Sequence, residues 1–232
     1  MCTGVYRGMK KSIKTKKKVK NTVGADKIKQ EYVNYVLEHE KRPSTVFKFC
    51  KNLGIKEDSF YKFYGSLKAL EKAIWKEYAI STIYRLKSDS NYAAFSAREK
   101  VLAFYFTLIE ILKEERSFIL FQLKKQKLPS APPSFIRKFK KEFDAWASEV
   151  IEEGKQTDEI AKRPYLDQRY GSLLWFHMHF VLMFWVKDES AEFEKTDEAI
   201  EKSVNLAFDL MGKGVVDNVF EFGKFLVQQA KG

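Results

Sequence analysis

Cations, rings and hydroxyls make up most of the chemically capable residues here, and few of them could make or break a bond. The cations crowd one end. Residues 1–25 hold Arg7, Lys10, Lys11, Lys14, Lys16, Lys17, Lys18 and Lys20 and no acid. Residues 26–85 hold twelve basic and eight acidic residues, and residues 86–232 hold 22 basic and 23 acidic. The first 85 residues therefore carry +12 and the rest −1, which gives the net charge of +11. Such asymmetry suits a polyanion, either nucleic acid or an anionic membrane face, though the same lysines could also form a solvated tail without a partner. His177 and His179 stand two apart, so they share no helix face and cannot chelate one metal from it. The two cysteines, Cys2 and Cys50, cannot build a Cys-based zinc site or a disulfide framework, and a reducing cytoplasm is the expected setting. No nucleophile–base pair, Gly-rich phosphate loop or HExxH motif occurs, so no catalytic residue, metal or cofactor is expected.

Rings are abundant. Aromatics reach 15% with 20 Phe, which promises a bulky apolar interior. Tyr105, Phe139, Trp146, Trp175, His179 and Met183 stand at helical spacings that would line a pocket for an apolar ligand. His179 shares a face with Trp175 and Met183 (i, i+4, i+8), which makes it the candidate polar anchor. A solid core in which His179 bonds a neighbour fits the same spacing.

The elements that must position these residues read as helices almost throughout. Ile28, Tyr32, Tyr35 and Val36 predict a helix over about 26–39. Pro43, Ser44 and Thr45 break the chain and restart it, and a hydroxyl there can cap a second helix through Leu53. Gly54 supplies a left-handed stop. A third short helix follows, with Glu57 and Asp58 in its first turn and Gly65 at its end, and Ser66 then caps a longer one. Further helices are expected over 96–114, 116–127, 134–153, 166–187, about 197–212 and 215–229, with the loop LPSAPPS at 128–134 the clearest break. No strand alternation or repeat is evident, so the fold class is all-α. The most apolar run, Leu173 to Val186, is shorter than the about 20 residues that a membrane span needs. No apolar stretch of about 7–15 residues follows the basic N-terminus, which therefore does not read as a secretory signal. Met9 opens MKKSIKTKKK, which would itself make a start, with the first eight residues an over-long or disordered lead.

Two short helices joined by a Gly-containing turn at 45–64 are the sequence form of a helix-turn-helix, whose second helix enters the major groove. The segment TVFKFCKNLGIKEDSFYKFYGSLKALEKAI, residues 45–74, resembles the DNA-binding segment of the TetR family of bacterial repressors. Thr45, Val46, Gly54, Ile55, Phe60, Tyr61, Tyr64, Ser66 and Leu70 match that family's pattern, and Ser59 stands where it usually has Thr. Leu67 replaces its lysine, with Lys68 one position on, and Glu57 and Asp58 place two acids at the start of the recognition helix. The resemblance implies DNA contacts from Ser44, Thr45, Lys56, Ser59, Tyr61, Lys62 and Lys68. It also implies a basic arm over 1–25, a DNA-binding domain over 26–80 and a helical dimerisation and ligand-binding domain over 81–232. The expected protein is a cytoplasmic homodimer that binds operator duplex DNA and is released by a small hydrophobic ligand. Leu174 and Phe208 are the residues expected at the dimer interface. A second resemblance is shorter. Trp185, Asp188, Ser190 and Thr196 look like a Trp-x-x-Asp-x-Ser…Thr stretch of the ubiquinone-biosynthesis lipid-binding proteins, which share the TetR fold and serve as lipid carriers. A TetR-fold lipid- or isoprenoid-binding protein without operator binding is therefore the alternative.

Overall fold

A computed structural model of the protein describes residues 24–123, 133–163, 166–212 and 214. The arm expected over 1–25, the loop at 128–134 and the helix at 215–229 lie wholly or mostly outside them. The described residues form α1 (Ala25–His39), α2 (Val46–Leu53), α3 (Glu57–Tyr61), α4 (Leu67–Lys87), α5 (Ala97–Lys113), α6 (Arg116–Leu123), α7 (Arg137–Gln156), α8 (Asp167–Lys187) and α9 (Glu194–Met211), with short 3-10 turns before α5, α7 and α9. Among these residues the regular structure is all helical, as the periodicities predict, and no helix is long and apolar enough to cross a membrane.

Local chemistry sets the helix starts. Ser66 Oγ accepts from Ala69 N at the head of α4. Ser96 and Glu99 cap α5 reciprocally, each side chain taking the other's backbone N–H. Packing does the rest. Helix α4 runs unbroken across residue 80 and lies against α5 and α7, while α8 and α9 close the far side. Trp75 of α4 is fully buried at the centre, edge-on to Phe139 and tilted against Phe135, and its indole N–H donates to Gln122 of α6 at 2.5 Å.

The turn between α8 and α9 is built on one carboxylate. Asp188 accepts from Ser190 N and Oγ at 2.8 and 2.6 Å, and from Thr196 N and Oγ1 at 2.9 and 2.6 Å. Burial alone would raise its pKa, but these four bonds outweigh it and hold the carboxyl at about 2. Arg116 of α6 donates to the carbonyls of Trp185 and Asp188, with its guanidinium 4.5 and 4.3 Å from the rings of Trp185 and Phe193. The residues that resemble the lipid-carrier stretch thus form a joint between helices. Because Thr196 reaches back to Asp188, α9 begins at Glu194, earlier than its polar composition predicts.

A second polar chain crosses the bundle at His177. Its Nδ1 is 3.1 Å from Tyr105 Oη and its Nε2 is 2.8 Å from Ser203 Oγ, so α5, α8 and α9 meet there. Burial pushes the imidazole down to about 4, from about 6.5 in an unfolded chain. The folded state therefore holds the ring neutral. Its contribution is complete above about pH 6.5 and is lost as the pH falls toward 4, a span of about 3 kcal/mol. Urea melts from about pH 7 down to about pH 4.5 should show that loss in the wild type and a shallower one in His177→Gln. Equal slopes would assign the pH dependence to other groups.

Candidate functional site

The unit at 44–68 is assembled from caps. Thr45 Oγ1 accepts from Lys48 N at 3.1 Å and starts α2. Gly54 ends it at φ +70, with Gly54 N bonding Lys51 O and Ile55 N bonding Cys50 O, a double closure that only a left-handed residue permits. Phe60, fully buried, then fixes the roll of α3: it meets Phe49 edge-on, and Phe49 meets Tyr32 and Tyr35. Helix α3 stops at Tyr61, about a turn before the Gly65 end read from the sequence. The N–H groups of Phe63 and Tyr64 both fold back to Phe60 O, and the chain must be extended by Ser66 to cap α4.

The seven residues expected at DNA fall on this unit and the segments that flank it. Ser44, Lys56, Lys62 and Lys68 are exposed, with Lys56 at the head of α3 and Lys62 at its end. Thr45 is exposed too, but its hydroxyl serves the cap. Ser59 is half-buried and donates to Asp58 Oδ1 at 3.4 Å. Tyr61 is half-exposed, and its hydroxyl donates to Glu57 Oε2 at 3.4 Å. Phe47 and Phe63, which are not among the seven, are also exposed in this unit.

One buried carboxylate fastens this unit to the bundle. Glu71 Oε1, near the start of α4, accepts from Tyr32 Oη of α1 at 2.6 Å and from Arg42 Nε at 2.5 Å. Arg42 also lies 6.0 Å from the ring of Phe121, and Tyr32 meets Phe118 edge-on, both on α6. Lys29 of α1 pairs with Glu77 of α4 beside them.

The six residues expected to line a ligand pocket are all buried, and four of them interlock. Trp146 stacks on Phe104 at 4.2 Å and donates to Tyr92 Oη. Trp175 packs 6.3 Å from Phe139 and 5.7 Å from Phe143, with Lys140 Nζ 5.0 Å from its ring. Tyr105 Oη reaches Leu174 O at 3.4 Å. Met183 and His179 sit further along α8. His179 has no hydrogen-bond partner among the described residues, and burial lowers its pKa. A groove of about 1110 Å³ lies elsewhere, where α4, α5 and α7 end or begin, lined by Lys87, Tyr92, Lys100, Glu153 and Glu159 among others.

An apolar stripe runs along α8 and α9. Phe176 is 54% exposed and Leu206 61%, and Leu173 and Leu210 are exposed beside them. A pocket of about 190 Å³ opens between these last two. Leu174 and Phe208, the interface residues read from the sequence, are each 1% exposed and belong to the chain's own core. Helix α8 is apolar almost all round, so its periodicity does not tell the buried stripe from the outward one.

Residues 100–226, more than half of the chain, match the family described as tetracyclin repressor-like, C-terminal domain. Several solved structures share the fold. The fatty acid degradation regulator FadR from Bacillus halodurans superposes with a TM-score of 0.58 at 15% identity, covering 80% of this chain and 98% of its own. A TetR transcriptional regulator from Nitrosomonas europaea gives 0.56 at 15% identity, over 79% and 96%. FadR from Bacillus subtilis, solved in complex with stearoyl-CoA, gives 0.53 at 16% identity, over 81% and 97%. No curated protein matches the sequence.

Removing the fastening carboxylate should loosen the helix-turn-helix unit selectively. Glu71→Ala strands the Tyr32 hydroxyl and unpairs Arg42, and the expected loss is about 2 kcal/mol, discounted because Arg42 is half-exposed. Hydrogen exchange in α1 and α2 should quicken while α7 and α8 stay protected. Unchanged exchange in α1 would mean that the rings alone hold the unit in place.

Proposed function

The chain belongs to the tetracyclin repressor-like family, and from that premise we propose that it is a homodimeric, cytoplasmic transcriptional regulator that grips duplex DNA through α2 and α3. The observation that supports this most is the helix-turn-helix itself: a capped α2, a left-handed Gly54 and an α3 whose roll is set by buried Phe60. Tyr61 and Lys62 would meet phosphates, flanked by Ser44, Thr45, Lys56, Ser59 and Lys68. The basic arm at 1–25 adds sequence-independent affinity by pairing with further phosphates. The exposed stripe of Phe176 and Leu206 would pair with its symmetry mate, giving a four-helix interface of α8 and α9 from two copies.

A ligand would act by preferring one spacing of the two reading heads. The Bacillus subtilis neighbour was solved with stearoyl-CoA, and a free fatty acid, which keeps the acyl chain without the charged CoA, is the first probe here. In this chain the proposed ligand is small and apolar, held among Tyr105, Phe139, Trp146, Trp175 and Met183 with His179 as its polar anchor. The His179 side chain is buried and has no hydrogen-bond partner among the described residues, which supports that role.

Selection from random duplexes should enrich one sequence with the full-length protein. Tyr61→Ala with Lys62→Ala should weaken binding to every duplex. Deleting 1–25 should flatten the slope of log affinity against log salt by a little under about one unit for each phosphate that the arm neutralises. An intact dimer that enriches nothing would favour the lipid-binding alternative. For the dimer itself, Phe176→Arg with Leu206→Arg should yield a folded monomer in sedimentation at micromolar concentration. A wild type that sediments only as monomer there would remove the dimer from the account.

A further inference from the structure

If α3 enters the major groove, as proposed above, the chemistry of its first turn restricts what it can read. In a helix-turn-helix the N-terminal residues of the second helix are the ones that reach base edges. Here they are Glu57, Asp58 and Ser59. Phe60 is fully buried, so Asp58 and Lys62, two positions to either side, project from the opposite face, and both are exposed. Glu57 lies alongside, half-buried, with Oε2 within reach of the Tyr61 hydroxyl. Residues 56–62 contain no Arg, Asn or Gln. The guanidinium fork that recognises guanine O6 and N7, and the amide that recognises adenine N6 and N7, are therefore missing from this helix, which leaves two lysines as its only cationic donors for guanine. Its two lysines, Lys56 and Lys62, stand at its ends.

Two carboxylates facing a groove walled by phosphates are repelled and lose their hydration. A base amino group that donates to them reverses the sign. Cytosine N4 is the donor that a carboxylate takes in the major groove, whereas adenine sets the N7 acceptor beside its amino group and opposes a carboxylate. We propose that Glu57 and Asp58 are the specificity-determining residues of this interface and that they read cytosine amino groups, so that each operator half-site carries cytosine where the head of α3 meets the bases.

The test is in vitro selection with the full-length wild type, Glu57→Gln and Asp58→Asn, followed by affinity measurements on the winning duplexes. Both side chains lie on the surface of α3, and unchanged melting temperatures would confirm that the variants fold. The wild type should select cytosine at one or two positions of each half-site, and replacing either with thymine should weaken binding about tenfold or more. Glu57→Gln should turn one of those positions to adenine while the rest of the site is retained, and Asp58→Asn should do the same at the other. Guanine or adenine at those positions in the wild-type site would overturn the inference and leave DNA binding standing. So would variants that bind all duplexes more tightly with an unaltered site, because the acids would then only repel. A wild type that enriches nothing, with its dimer intact, would overturn the DNA-binding reading itself and this inference with it.

Discussion

The carboxylate of Glu71 is the constraint on which the arrangement of the molecule depends. It is buried at the foot of α4 and held from two sides, by a hydrogen bond from the Tyr32 hydroxyl of α1 and by an ion pair with the Arg42 guanidinium ahead of α2. A carboxylate in that position is stable only while both donors face it, so their places are fixed together. Arg42 cannot leave without uncovering the charge, and Tyr32 cannot turn without losing Phe49 and Phe118. The helix-turn-helix therefore has one orientation on α4. In the proposed dimer, one orientation per protomer would set one distance between the two helix-turn-helix units, the quantity that half-site spacing in an operator would match.

A second carboxylate performs the matching task at the other end. Asp188 closes the turn from α8 to α9 with four hydrogen bonds, and these two helices present the apolar stripe of Phe176 and Leu206. Helix α6 lies between the two joints. Its Arg116 holds the Asp188 turn, its Phe118 and Phe121 touch Tyr32 and Arg42, and its Gln122 takes the indole proton of Trp75. A helix of eight residues thus touches the proposed dimer joint, the reading-head joint and the centre of the bundle. Any ligand that displaced α6 would act on both joints at once.

Much of this was legible in the sequence because it rests on local rules. The hydroxyl of Thr45, the glycine at 54 and the hydroxyl of Ser66 each serve the nearest few backbone groups, and the structure shows them doing so. The all-helical class follows from the same short-range periodicity. What depends on distant partners was hidden. Nothing in the sequence marks Glu71 as buried, since the residues that cover it lie 29 and 39 positions away. The same blindness placed Leu174 at an outer face, because on the nearly all-apolar α8 only the neighbouring helices decide which stripe is covered; Phe208 lies on the apolar stripe of an amphipathic α9, and that stripe packs into the chain's own core. For the ring cluster, spacing correctly placed the side chains indoors. Whether they surround a ligand or one another depends on fractions of an ångström that spacing does not encode.

In the proposed complex two copies of α3, held at one separation, enter two major grooves of a duplex. Hydroxyl-radical footprinting of a selected duplex reads that geometry directly. Two symmetry-related protected tracts are expected on a sequence with two-fold character, both lost together when the stripe of Phe176 and Leu206 is charged. A single tract, or a pair that persists in the monomeric variant, would contradict that geometry.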